Sequence, residues 1–540
     1  MMIASPSNAI KKSGPAIWAI PLVIVILAVL WRAWIIESEA LKLNSDEAVV
    51  GLMARHMANG QPVPTFYYGQ DYMGSLDAVL IAGGFILLGE SVTTIRVVQA
   101  ALYLISLGLA YGLAYRVTGR RRVAWMTCLL LAIPTMLGTL YSGITLGGYN
   151  ELIILGVLVI WQGWEVTYGQ SKALWRWGLL GLAAGLGWWT NGAIITPLAV
   201  VGLWGVWHFS AHRWRGYALA MGLFLLGSAP WWVYNLNHDW AALAFLTSND
   251  PSTSQHTLTW AEKSLALILV GFSSLYGFRF PWDARFQSGL SVILAGIVYL
   301  ALLSLWLQER LGRHQAWLWR GQGVVLANFG VLSAVFMFSS FQDATGRYLM
   351  PLWIPATLGI ALALERLRCF SPRLASISLA ILVAFHALTT LPAIQHPSGI
   401  QAQLDSALIT QDSDDQAMIA YLDAQGYRYG YTSYWVSYKL IFLTQERLIF
   451  DTSLPYDTEG YRPNNNRYAP YVEQVAQAET VVWITQAMPE LDRLIEEAFQ
   501  EAQISYQVEV IGPYWVYHRL SRPVAPAEFG FTDPALFTTP

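Results

Sequence analysis

Residues 44–77 read NSDEAVVGLMARHMANGQPVPTFYYGQDYMGSLD, an acidic, aromatic and polar stretch directly behind an apolar run. Asp46 and Glu47 fall in the first turn of a short helix that Asn44 or Ser45 can cap, where carboxylates satisfy free N–H groups and the positive helix end. Capping is the structural account of them. The chemical account is that Asp46, on an amphipathic helix just outside a bilayer, is a general base. Glu151 follows in TLGGYNELIILG, where two glycines permit close backbone approach and Tyr149 and Asn150 bring further hydrogen-bonding groups to one point. A helix-end structural acid is the other reading there. Arg347 lies in FQDATGRYLMPLW, between Gly346 and Tyr348. It suits an interface anchor, and equally an anion clamp, because a guanidinium fork matches phosphate. Together these residues imply an external reaction that needs a base and a phosphate binder. The candidate catalytic residues are Asp46 and Glu151, and the candidate phosphate contacts Arg347 and Tyr348. The candidate substrate contacts are Glu47, Tyr68, Gln70, Asp71, Tyr149, Asn150 and Asn191.

The elements that must position these groups are membrane helices. The 540 residues are 55% hydrophobic and 12% charged, with a mean hydropathy of +0.41, against about 25% charged in soluble domains. Cys128 and Cys369 are too far apart in sequence and setting to suggest a disulfide framework or a metal cluster. Residues 394–540 carry 8 basic and 19 acidic residues of a chain whose formal charge is −3, so the two parts face different surroundings. Lys11 and Lys12 precede an apolar run over 17–36 without a clean cleavage site, which reads as a retained first crossing with the N-terminus inside.

Further crossings are expected near 96–115, 122–141, 150–166, 177–208, 216–234, 287–307, 321–339, 349–367 and 374–393. The run 177–208 would be about 48 Å long as one helix, against a ~30 Å hydrocarbon core, and WWTNG supplies a break. Basic loops at Arg116–Arg122, Lys172–Arg176, Arg213–Arg215, Arg310–Arg320 and Arg366–Arg373 fall on one side only if 76–89 and 262–278 lie at the outer interface. The expected fold is therefore an all-α polytopic domain over 1–394, of about eleven crossings plus outer interfacial helices, with outer loops 37–95 and 235–286. Asp46, Asp71, Glu151, Asn191 and Arg347 all emerge outside in that arrangement. Alternating helix and strand patterns over 395–522, ending in a hairpin, predict a small extracytoplasmic α/β domain. It has no Gly-rich phosphate loop, and a Pro-rich tail over 523–540 is expected to be loose.

The pieces SDEAVVGLMARHMANGQ, YYGQDYMGSLDAVLIAGGFILLGESVTTIRVVQAAL, GLGWWTN, APWWVYN and GRYLMP, in that order and spacing over residues 15–395, resemble the GT-C superfamily of polytopic glycosyltransferases. The resemblance is to its lipid-phosphate-sugar-dependent branch, which includes protein mannosyltransferases and aminoarabinose transferases. It implies transfer of a sugar from a polyprenyl- or dolichyl-phosphate carrier to a lipid, glycan or protein acceptor outside the membrane. Asp46 then matches the first-loop catalytic acid, Glu151 the second-loop acid and Arg347 the phosphate-facing position. Two places depart from that pattern: relatives often carry Lys where this chain has Asn191, and their basic-Pro-Pro stretch reads YGQDYMG here.

A sugar phosphate already carries a good leaving group, so such an enzyme needs a base and positive charge, with no protonating acid. In-line displacement inverts the anomeric centre. No cofactor is expected; Asp46 with Glu151 leaves a divalent metal open but not favoured. Nucleic acid is not an expected partner, and the expected location is the plasma (inner) membrane. The competing readings are a lipid-pyrophosphate-dependent oligosaccharyl or polysaccharide transferase, and a transporter of lipid-linked sugars.

Overall fold

The computed structural model describes residues 16–247, 258–308, 316–339, 344–402, 408–534 and 536–537. Lys11, Lys12, Arg310, Arg313 and part of the 235–286 loop lie outside them. Six helices among the described residues are long and apolar enough to cross a bilayer: Ala19–Glu37, Val92–Thr118, Leu290–Gln308, Arg320–Phe338, Arg347–Phe370 and Pro372–Gln395. A seventh results if Ala211–Gly227 and Ala229–Asn237, bent by 60° at their junction, form one broken span.

The other expected crossings meet shorter helices, and the breaks have local causes. Pro134 separates Arg121–Ala132 from Met136–Tyr141, because it lacks a donor and biases Ile133 away from helix. Asn191 ends Leu174–Thr190, and its side chain accepts from Ala193 N–H at 2.9 Å to begin the next helical segment, as WWTNG leads one to expect. Helix Tyr149–Thr167 carries Glu151 near one end and Glu165 near the other. Residues 76–88 form one short apolar helix, and 260–275 are helical with a π stretch at Leu267–Phe272. Leu137, Leu140, Leu152, Leu349, Leu352 and Trp353 belong to one large buried cluster at the centre of these helices.

The C-terminal part is the expected α/β unit. Strands β1 (Tyr429–Thr432), β2 (Ile449–Asp451), β3 (Val482–Gln486), β4 (Gln507–Ile511) and β5 (Tyr514–His518) are ordered β2-β1-β3-β5-β4. β1 is parallel to β2 and β3, and β5 is antiparallel to β3 and β4. Helices Asp412–Gln425, Tyr434–Leu443, Ala469–Ala476 and Pro489–Glu501 accompany them.

Two expectations need correction. Residues 524–531 are not loose: Val524 and Phe531 are buried, Trp483 Nε1–H donates to the Val524 carbonyl at 3.1 Å, and Pro526–Phe529 forms a 3₁₀ turn. The division at residue 394 also does not follow the packing. Helix Ser45–Ala58 shares one apolar core with the C-terminal domain, Val49, Leu52 and Met53 clustering with Leu440, Ile441 and Phe442.

The closest approach in that shared core is at Gly51, where an added Cβ would lie 2.6 Å from the Phe442 ring. Arg55 reinforces the joint, with Nη2–H donating to the Phe442 carbonyl at 2.8 Å and Nε–H to Glu90 at 2.8 Å. An exposed helical glycine generally gains stability on substitution. Here Gly51→Val must displace an aromatic ring, and a loss of about 1–3 kcal/mol is expected, measured as a lowered thermal midpoint of the detergent-purified protein.

Candidate active site

The first-loop helix sets the geometry. Asn44 caps it by accepting Glu47 N–H at 3.0 Å. Glu47 then turns inward, 1% exposed, onto Arg96 of Val92–Thr118. Arg96 Nη2–H donates to Glu47 Oε2 at 2.7 Å and to the Leu41 carbonyl at 3.0 Å, and its Nη1 meets Oε1. Oε1 also accepts Thr145 N–H at 3.0 Å. Both oxygens of Glu47, expected from the sequence as a substrate contact, are held in a buried ion pair.

Asp46, its neighbour, faces the other way and is half-buried. The Tyr434 hydroxyl donates to Asp46 Oδ1, and the Tyr67 hydroxyl donates to the Asp46 carbonyl at 2.5 Å. Oδ2 accepts no hydrogen bond among the described residues. Burial first, and then the Asp46 charge, push the Tyr434 phenol well above its ordinary range. Tyr67 is raised likewise, by burial and then by Tyr434 and Asp46. Both phenols therefore remain proton donors toward Asp46.

Around this pair stands a mixed ring of tyrosine and arginine. The Arg467 guanidinium lies 5.2 Å from the Tyr434 ring centre and 5.8 Å from that of Tyr67. Gln70, with its amide oxygen turned to Arg467, accepts from Nη1 at 2.9 Å and Nη2 at 3.1 Å. Tyr72 lies within electrostatic reach of Arg467, Tyr348, Arg347 and Asp46, so the first loop, the Arg347 turn and the C-terminal domain converge on one place. Burial raises the Tyr72 phenol and the two arginines work against that.

Arg347 begins a 3₁₀ turn, Arg347–Leu352, that Gly346 enters at φ 85°, where an added Cβ would lie 2.8 Å from the Ser274 side chain. Its guanidinium lies 5.4 Å from the Tyr348 ring centre, and its N–H donates to Thr345 Oγ1 at 3.2 Å. Tyr141 donates to the same hydroxyl at 3.3 Å, and Tyr149 packs on Tyr141 with ring centres 5.1 Å apart.

Glu151 occupies a second, deeper position. It is 3% exposed, its Oε1 has no hydrogen-bond partner among the described residues, and Asp77 is the acid beside it. Asp77 Oδ1 accepts Ala78 N–H at 2.8 Å, Oδ2 accepts from Thr145 Oγ1 at 3.3 Å, and burial pushes its carboxyl up to about 6. Thr145 thus links the Glu47 and Asp77 carboxylates. No hydrogen bond or ion pair joins Glu151 to Asp46 among the described residues. Gly147 and Gly148, at φ 58° and 69°, make the turn before Glu151, and a Cβ at Gly148 would meet Thr190 at 2.6 Å.

Other expected substrate contacts make these bonds within the protein. Asn191 Nδ2–H donates to the Gly147 carbonyl at 2.7 Å, fastening that turn. Asn150, 1% exposed, donates to the Gln99 carbonyl at 2.9 Å and to its side-chain oxygen at 3.0 Å. Tyr68 is hydrogen-bonded to His56 Nδ1 at 2.9 Å and stacks on Tyr468, and Asp71 accepts from Tyr234 at 2.5 Å. Tyr67, Tyr72 and Asp77 lie inside the stretch the sequence singles out, unmarked among its neighbours. Tyr434 and Arg467 carry no local signal at all.

The bundled helices, with a carboxylate, tyrosines and arginines gathered at one end, have a fold shared with solved membrane-protein structures. ArnT from Cupriavidus metallidurans, in a crystal structure bound to undecaprenyl phosphate, is similar with a TM-score of 0.64, covering 94% of this chain and 99% of that one at 14% identity. The oligosaccharyltransferase of Archaeoglobus fulgidus, solved with Zn and sulfate, gives 0.50 over 96% of this chain and 76% of its own at 13% identity. In sequence, the undecaprenyl phosphate-alpha-4-amino-4-deoxy-L-arabinose arabinosyl transferase of Pseudomonas aeruginosa (strain LESB58) is 27% identical over 312 residues. That match spans 54% of this chain and 49%, about half, of the relative's length. No protein-family model matches the chain.

Because Glu47 is buried with Arg96, removing the cation leaves an uncompensated charge. Arg96→Met should cost about 3–5 kcal/mol, and Arg96→Met combined with Glu47→Gln distinctly less, as read from thermal unfolding of the purified variants.

Proposed function

We propose that this chain transfers a sugar from a polyprenyl-phosphate carrier to a lipid, glycan or protein acceptor on the outer face of the plasma (inner) membrane. The observation that carries the reading is Asp46: one carboxylate oxygen held by Tyr434, the other open, within a ring that includes Arg347 and Arg467. The undecaprenyl phosphate in the similar ArnT structure and the name of the Pseudomonas relative support a lipid-phosphate donor.

In this mechanism Asp46 Oδ2 accepts the acceptor's proton as its nucleophilic atom attacks the anomeric carbon. The C1–O bond to phosphate breaks on the opposite face, with inversion. The departing phosphate gains charge, which Arg347 stabilises with Tyr348 beside it; positive charge aimed at a developing anion is a large catalytic term in a site that excludes water. The reaction as written needs no resident metal, since the leaving phosphate's charge is met by guanidinium. Glu151, buried behind the 145–148 turn, has the place of a second acid that supports the site from within.

The eleven-crossing topology belongs to the same proposal. Its support is that the basic loops meet at one end of the bundle on two buried acids. Arg116 and Arg176 face Glu165, and Arg120 and Arg368 face Glu365. Glu165 and Glu151 sit on one helix, roughly 21 Å apart by helical rise, so the inner ion pairs and the site mark opposite faces. Cysteine-accessibility mapping in intact cells should label Glu497, exposed on the C-terminal domain, and positions beside Arg347 from outside, and Arg120 and Arg313 only after permeabilisation. External labelling at Arg313 overturns the topology.

The activity itself is tested with polyprenyl-phosphate sugars supplied to the purified protein. Asp46→Asn should lower turnover by about 100- to 10,000-fold while donor binding persists. Arg347→Ala should raise the donor KM and slow the chemical step, and Arg347→Lys should recover only part, because an ammonium lacks the paired fork. An interface anchor gives a different result: Lys substitutes freely and donor dependence is unchanged.

A further inference from the structure

The geometry points to the C-terminal α/β domain as part of the reacting centre: we propose that Tyr434 and Arg467 position the Asp46 carboxylate for the acceptor. This rests on the glycosyl-transfer reading above.

Tyr434 opens the helix Tyr434–Leu443 and is 2% exposed, yet its hydroxyl donates to Asp46 across the boundary between the two parts of the chain. A ring that merely filled space there would not need the hydroxyl. As a donor held to Oδ1 it fixes the carboxylate's rotation and leaves Oδ2 without a protein donor, which is how a base is kept in an attack-ready geometry. The Tyr67 hydroxyl holds the Asp46 backbone at 2.5 Å, so side chain and main chain of the base are each held by one tyrosine.

Arg467 holds both tyrosines in place. Its guanidinium faces the two rings, its backbone N–H donates to the Tyr438 hydroxyl at 2.6 Å, and its fork reaches the first loop at the Gly69 carbonyl, 3.4 Å, and at Gln70. An added Cβ at Gly69 would lie 2.8 Å from the Arg467 Cα, so the loop and the domain are in direct contact. Among the described residues the Arg467 Nε has no hydrogen-bond partner, and Asp46 is an acid within its electrostatic reach. The half-buried guanidinium sits between two tyrosines and the Asp46 carboxylate, a place that suits a positioning role.

The test uses the full-length protein with a polyprenyl-phosphate sugar, comparing Tyr434→Phe, Arg467→Lys and Arg467→Ala at equal folded amounts. Tyr434→Phe should lower kcat roughly 10- to 100-fold with the donor KM unchanged, and should add no further loss in the Asp46→Asn background. Arg467→Lys should recover part of the Arg467→Ala loss. Wild-type kcat in Tyr434→Phe, or a loss that multiplies fully with that of Asp46→Asn, overturns the proposal while leaving the transfer activity intact. If the wild-type protein transfers no sugar, the functional reading fails, and the positioning role is judged by hydrogen exchange. Arg467→Ala should then speed exchange over residues 66–74, and unchanged exchange overturns it.

Discussion

The constraint on which the site depends is the buried Glu47–Arg96 pair. Adjacent residues on a helix point about 100° apart, so anchoring Glu47 inward on Arg96 and Thr145 forces Asp46 toward the mouth. Two charges taken out of water are costly, and their attraction offsets that cost only when geometry and further hydrogen bonds are good. Here the Leu41 carbonyl and Thr145 N–H supply those bonds. A pair with so few alternatives fixes one rotation of the first-loop helix, and with it the direction of Asp46.

From that helix the order spreads in two directions. Inward, Thr145 joins Glu47 to Asp77, and the glycine turn before Glu151 is fastened by Asn191. Outward, the same helix is packed through Gly51 and Arg55 against the C-terminal domain. The first loop is thus sandwiched between two cores, and each face of the helix is specified by a different part of the chain. A loop held this way does not need its own apolar core.

Charge is distributed by the same logic. In a bundle of apolar helices ionisable groups are tolerated where they find partners. The acids Glu165 and Glu365 gather arginines at one end, and Asp46, Arg347 and Arg467 gather with tyrosines at the other. A tyrosine-rich setting supplies hydroxyl donors without adding charge. It holds a carboxylate without neutralising the arginines beside it.

The sequence by itself determined the membrane class, the break at Asn191, and the helix and strand order of the C-terminal domain. Those features are local: hydropathy, capping, Gly and Pro punctuation and alternation act within a few residues. It also marked Asp46, Gln70 and Arg347, which the fold brings to one place. What only the tertiary structure decided is which of two neighbouring acids is available, since Asp46 and Glu47 have the same local credentials and differ only in Arg96, 49 residues beyond Glu47. The fold alone also turned Asn150 and Asn191 into supports, paired Asp77 with Glu151, and brought Tyr434 to Asp46 across 388 residues. Such pairings come from the packing of the first-loop helix against a distant domain, and no periodicity, cap or charge run near either partner encodes them.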